Sequence, residues 1–265
     1  MERHIDGEFV ELFPGQDFGQ GREVFRWVVD TFGGRNPEFH ALDTPYHDLS
    51  HTLEVTLCLM TLIRRRAVRG VEPVCSGESV RWALVASLLH DSGYLRTRDD
   101  IEGTGAKYTV IHVDRSVDSA ARLTRSMGFT DPAVAAIGDM IRCTALGVKV
   151  SEIVLGNAEL RFLGRALGAA DLLAQMAAPD YLDKLPLLFQ EFTESAQHQE
   201  RFGRKGQVFE SVEDLMAKTP GFWKFYVMPR MESDLDGVHR FLEEPTTGQN
   251  EYLKAIEANL AKLQS

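Results

Sequence analysis

The segment Val80 to His90, VRWALVASLLH, constrains the fold more than any other. Its side chains are apolar on nearly every side, and a helix without a polar face is stable only in the middle of a bundle. Ser76 or Ser79 can cap its start, after a loop carrying Pro73 and Gly77. Asp91-Ser92-Gly93 ends it, and Gly93 suits the left-handed residue that closes a helix.

The remaining pattern supplies partners for that helix. Leu49, Leu53, Thr56, Leu57, Met60 and Ile63 recur at three- and four-residue steps, which predicts a helix from Tyr46 to about Arg69. Further helices are predicted over Tyr108–Met127, stopped by Gly128, and from Asp131-Pro132 to about Arg142. Another covers Leu160–Ala177, broken by Pro179. Residues 1–45 read as short helical pieces with breaks at Phe13-Pro14-Gly15 and Gly33-Gly34, and residues 96–107 as a polar, glycine-rich loop. The C-terminal part reads as helical, with a loop at Phe202–Gln207, a break at Pro220 and a last helix near Asn250–Leu263. Alternating β-branched runs are nearly absent, so the expected class is all-α. The expected division is an N-terminal extension (1–45), a core (46–178) and a C-terminal helical part packed on it (179–265).

Composition excludes some functions. At 265 residues and 44% apolar content the chain can bury a substantial core, but its net charge is -10. It lacks the basic field that nucleic acid or an anionic membrane surface requires. A small anionic substrate held by a metal and a few Arg or Lys stays compatible. Three cysteines without CxxC spacing argue against a disulfide framework and for a reducing cytoplasm. The opening MERHIDGEFVELF has no apolar core of a signal peptide, and no apolar stretch approaches the ~20 residues of a membrane span.

Candidate chemistry lies at three places. His47 and His51 stand four residues apart near a helix start, which puts them on one face roughly 6 Å apart at Cβ; histidines at this spacing also occur by chance on surfaces. His90-Asp91 ends the most apolar helix, where an imidazole and a carboxylate need partners. A divalent metal would satisfy both; so would a helix-terminal His favoured by the dipole with Asp capping the next turn. Asp171 stands among small and apolar neighbours, Leu167-Gly168-Ala169-Ala170 and Leu172-Leu173. A carboxylate there calls for a partner, unless it sits on a narrow solvated stripe beside Gln175.

In the order His51, His90-Asp91, Asp171, over residues 46–178, the chain resembles the HD superfamily of metal-dependent phosphohydrolases. The resemblance implies an HD-type helical bundle with additional C-terminal helices. It implies that His51, His90, Asp91 and Asp171 hold a divalent ion (Zn, Mn, Fe or Mg), with Asp91 reaching a second ion or its waters. Tyr46-His47-Asp48-x-x-His51 is similar to the Tyr-His-Asn-x-x-His opening of class I cyclic-nucleotide phosphodiesterases, with Asp for Asn. Carried over, His47 becomes the general acid, apt because imidazole titrates near neutrality. Gln207 is the candidate for that branch's base-clamping glutamine.

Lys107 to Ser116 resembles the region that supplies a further histidine to many HD sites, making His112 a candidate for a second metal or its hydroxide. Arg115, Lys107 and Arg142 become candidates for substrate phosphate; a His and an Arg on a solvated helix would look the same in sequence. Arg142-Cys143 stands where two- and three-metal branches carry histidines, and the Gly-Tyr-Pro of the cyclic-dinucleotide branch is missing. His4, His40, His198 and His239 are expected at the surface or in packing, and Phe222, Trp223, Phe225 and Tyr226 in the core. The expected activity is hydrolysis of a nucleotide-like phosphodiester. The alternatives are a nucleotidase or other phosphomonoesterase, a non-catalytic nucleotide- or partner-binding domain, and an iron-pair oxygenase. Substrate identity and oligomeric state stay open, a homodimer included.

Overall fold

The computed structural model describes residues 1–201 and 209–264. They form ten α-helices in the order α1 (Glu2–Leu12), α2 (Gln20–Phe32), α3 (Leu49–Val68), α4 (Gly77–Leu89), α5 (His112–Ser126), α6 (Asp131–Arg142), α7 (Ala158–Ala177), α8 (Tyr181–Arg201), α9 (Val212–Phe222) and α10 (Glu251–Lys262). The fold is all-α: among the described residues extended pairing is confined to two isolated bridges, Phe39 with Thr97 and Glu243 with Asn250. The loop expected at Phe202–Gln207, and Gln207 with it, lies outside the described residues.

The apolar helix α4 takes the central place its sequence demands. It packs against α2, α3, α5, α6 and α7, and Val80, Leu84, Val85, Leu88 and Leu89 are fully buried. Each such Leu or Val contributes about 1.5–3 kcal/mol relative to exposure. Ser76 caps the helix by accepting a hydrogen bond from the Ser79 amide. Three of the neighbouring helices are capped as well. Asp48 accepts from the His51 amide at the start of α3, Thr130 from Ala133 at α6, and Asn157 from Leu160 at α7. Asn259 of α10 donates to the carbonyls of Met176 and Ala178 at 3.0 Å, closing the C-terminal end of α7.

Two close backbone approaches set the positions that matter for function. Gly168 lies against the Cys143 carbonyl, which a Cβ would meet at 2.5 Å, so α7 sits tightly on the end of α6 with Asp171 one turn further along. At Gly93 a Cβ would come within 2.0 Å of the His112 carbonyl.

Several expectations are corrected. Gly93 does not adopt a left-handed conformation; it belongs to a 3-10 turn, Ser92–Tyr94, and is required by the packing of α5. Helix α3 begins at Leu49, so Tyr46 and His47 precede it as backbone outside the helix, because Asp48 caps the helix behind them. The 108–127 helix is shorter at its start, where a 3-10 turn, Gly105–Tyr108, precedes α5. Pro220 breaks nothing: α9 runs through it and continues into a wide π turn, Trp223–Val227. A turn of that width is a place where a missing amide donor is absorbed. Pro186 likewise lies within α8.

Candidate metal centre and cavity

The residues that sequence scatters over α3, the end of α4 and α7 meet at one point. The Nε2 atoms of His51 and His90 are 3.4 Å apart. Asp91 Oδ2 lies 3.4 and 3.3 Å from them, and Asp171 Oδ1 3.2 and 3.5 Å. Adjacent ligand atoms around an ion bound at 2.0–2.1 Å are separated by roughly 3.0–3.4 Å, so these spacings fit a coordination shell. His51, His90 and Asp91, all three buried, place one ligand atom each within 4.8 Å of one another; Asp171 lies outside that group and meets it through the two imidazoles. His90 Nδ1 donates to the Ser87 carbonyl at 2.7 Å, which turns Nε2 toward the cluster. Asp91 Oδ2 has no hydrogen-bond donor among the described residues despite its burial. A buried carboxylate oxygen in that position calls for a cation.

The electrostatics agree. Burial opposes the charged form of His90, but the Asp91 and Asp171 carboxylates outweigh it and raise its pKa well above the usual imidazole value. Burial likewise works against ionised Asp91 and Asp171, and the imidazoles beside them overcome it and hold both well below the usual carboxylate range. The carboxylates that favour a proton on His90 are the groups that would favour a metal ion, so proton and metal compete for one place.

His47 sits at the edge of this cluster, with its ring centroid 5.7 Å from that of His51. This proximity arises from the capped turn ahead of α3 and not from the shared helix face that the spacing predicts. Its partner is Glu191 of α8, which sequence reasoning missed. Glu191 Oε2 lies 2.5 Å from His47 Nδ1, while Oε1 accepts from the amides of Tyr46 at 2.7 Å and His47 at 3.2 Å. The Glu191 side chain is 1% exposed. Burial lowers the His47 pKa, but the charge and hydrogen bond of Glu191 exceed that effect and bring it to about 9. Tyr46 is tied down a second time, its hydroxyl donating to Gln175 Oε1 at 2.7 Å. Gln175 therefore marks an interior contact and not a solvated stripe beside Asp171.

His112 opens α5, with Nδ1 donating to the Thr109 carbonyl at 2.6 Å and Nε2 3.8 Å from Asp91 Oδ1. Burial lowers its pKa, favouring neutral imidazole. The rings of His47 and His112 both stack on Tyr94, at 4.7 and 4.6 Å. The close contact at Gly93 fixes this arrangement. Gly93→Ala is expected to cost about 1–3 kcal/mol through overpacking, lowering the thermal midpoint and weakening any function that needs His112.

Two of the expected phosphate ligands are spent elsewhere. Arg115 donates to the carbonyls of Gly93 and Leu95 at 2.7 and 2.9 Å, and its guanidinium lies 3.6 Å over the Tyr108 ring. Lys107 is buried, paired with Asp100 and donating to the Glu102 carbonyl. Neither lines the cavity that opens above the His/Asp cluster; Arg142 does.

That cavity has a volume of about 610 Å³. Its floor carries Asp91, Asp171, His47 and His112, with His51 and His90 buried beneath. The aromatic group at the end of α9 is divided: Trp223 and Tyr226 are partly buried against the core, as expected, whereas Phe222 and Phe225 are 37% and 74% exposed, and Phe222 stands at the cavity edge.

Fold and site together define an all-α protein with a largely buried His/His/Asp/Asp cluster beneath a cavity. The chain belongs to the Npun_R2479-like family, whose sequence model matches residues 36–264. The matched span reaches from ahead of Tyr46 to α10, so Glu191 and the His/Asp cluster both fall within it. No curated protein matches the chain in sequence. Among the described residues no helix is long and apolar enough to cross a membrane.

Proposed function

We propose that this protein is a metal-dependent phosphohydrolase of the HD type, acting on phosphodiesters in a reducing cytoplasm. The observation that carries the reading is the junction of two devices at one cavity floor. One is the set of close spacings among His51, His90, Asp91 and Asp171; the other is His47, backed by Glu191. The three cysteines are free, which supports the compartment.

His51, His90, Asp91 and Asp171 would hold the first divalent ion, and Asp91 Oδ1 with His112 Nε2 face each other where a second could be shared. Such ions supply Lewis acidity, making water a nucleophile near neutral pH and neutralising phosphoryl oxygens. The protein's own part is positional and protonic. Glu191 occupies His47 Nδ1, leaving Nε2 as the ring's other donor on a side chain that lines the cavity. A pKa near 9 keeps that imidazole protonated at neutral pH, ready to give its proton to a departing alkoxide. A diester needs such an acid because its leaving alcohol is weakly acidic.

The phosphomonoesterase reading is less well supported. A monoester brings a second negative charge, whereas Arg142 is already paired with Asp139 at 2.8 Å. The deciding experiment is hydrolysis of bis(4-nitrophenyl) phosphate and of 4-nitrophenyl phosphate with added Mn²⁺, for wild type and Asp91→Ala. Turnover of the diester that disappears in the variant is expected. Turnover of the monoester alone would move the assignment to phosphomonoesterase; metal binding without turnover of either would leave a binding domain.

A further inference from the structure

The cavity above the cluster is apolar where a nucleotide would need it polar. Leu172, Met176, Leu185, Leu188, Phe192 and Leu215 form its walls. The edge is also apolar and accessible: Val110, Leu146 and Phe222 are 61%, 60% and 37% exposed. Among the described residues the cations of the lining are few and engaged. Arg142 is paired with Asp139 at 2.8 Å, Lys218 with Asp214 at 2.7 Å, and Asp114 adds a carboxylate to the lining. A polyphosphate chain, or a sugar with several hydroxyls, would be stripped of water against Leu and Met side chains with few partners in return. The volume lies within the ~300–1,000 Å³ range of small-molecule pockets, ample for an organic body beyond one phosphate.

We infer that the substrate is a phosphodiester of a hydrophobic alcohol with a single phosphate group, its phosphate over the His/Asp floor and its apolar body against the Leu/Met/Phe wall. The phosphate half rests on the proposed phosphohydrolase function; the apolar half rests on the cavity alone. It replaces the nucleotide-like ligand expected from the first sequence motif with one chosen by the wall.

The test uses the full-length, Mn²⁺-loaded protein and two readouts. The first is kcat/KM on methyl, butyl and octyl 4-nitrophenyl phosphates, with 3′,5′-cyclic AMP as the polar-bodied comparator. The second needs no turnover: displacement of anilinonaphthalene sulfonate by butyl and octyl phosphate. Burial of each methylene against the wall is expected to raise kcat/KM and tighten binding by about two- to fourfold. Leu188→Gln and Phe222→Ala, both at partly exposed positions, are expected to flatten that dependence. Diester turnover without chain-length dependence, or with cyclic AMP preferred, overturns the inference and leaves the phosphohydrolase standing. Binding that tightens with chain length while no ester turns over has the opposite meaning: the apolar ligand survives and hydrolysis does not. Neither turnover nor a chain-length trend overturns both.

Discussion

Asp91→Ala is expected to release the metal. Wild-type protein equilibrated with Mn²⁺ or Zn²⁺ and desalted should carry at least one ion per chain, the variant much less than one. Asp91 meets both imidazoles at 3.3–3.4 Å and is 2% exposed, and a water entering from the cavity in its place would bring no negative charge. Loss of an outer-shell partner alone typically costs 10–100-fold in affinity or activity, and loss of this ligand should exceed that. Stability supplies a second readout. Metal present at about 1,000 times its dissociation constant stabilises the folded state by roughly 4 kcal/mol, which for a chain of this size is on the order of 10 °C. That shift should be present in wild type and absent in the variant, measured by metal analysis and calorimetry in parallel. An unchanged metal content in Asp91→Ala would remove the His/Asp cluster from consideration as a metal centre.

The second large effect is expected at Glu191. Glu191→Gln keeps an oxygen for the Tyr46 and His47 amides but removes the charge that holds His47 protonated. Metal content should be unchanged while kcat on a diester falls by about 10²–10⁴, the usual contribution of a general acid. The pH profile gives the direction. With its pKa raised to about 9, His47 stays protonated through neutrality and activity declines as pH rises through that value. Without the Glu191 charge, burial is left to lower the pKa, so the alkaline limb must move to lower pH. Glu191→Ala should do more harm to the fold. Removing one partner of a buried ion pair costs about 3–5 kcal/mol, and here two backbone amides lose their acceptor as well. A kcat and a pH profile both unchanged in Glu191→Gln would show that His47 does not act as the acid.

Much of this was legible in the sequence, for reasons that are local. Helix α4 is legible because its composition leaves no face for water, and α6 because Asp131-Pro132 suits a first helical turn. Asp171 stood out because a carboxylate among Gly, Ala and Leu needs a partner. Glu191 carries a similar signal, lying close to Leu188, Phe189 and Phe192, but its principal partners are backbone amides 144 and 145 positions away. Nothing local marks such a pairing. Arg115 and Lys107 were misread for a related reason. Their charge is visible in sequence, and the carbonyls that engage it are not. Gly93 was identified as necessary for a left-handed turn, whereas the cause is a tertiary contact with α5 that only the folded chain contains.

The position of Glu191 also sets an order of assembly. A ribosome delivers this chain N-terminus first, and the His/Asp cluster is chemically complete once Asp171 has been made. His47 gains its carboxylate only when α8 has followed and docked across the first motif. On the proposed reading, the groups that would hold the ion thus all precede α8 in the chain, and the support of the acid follows them.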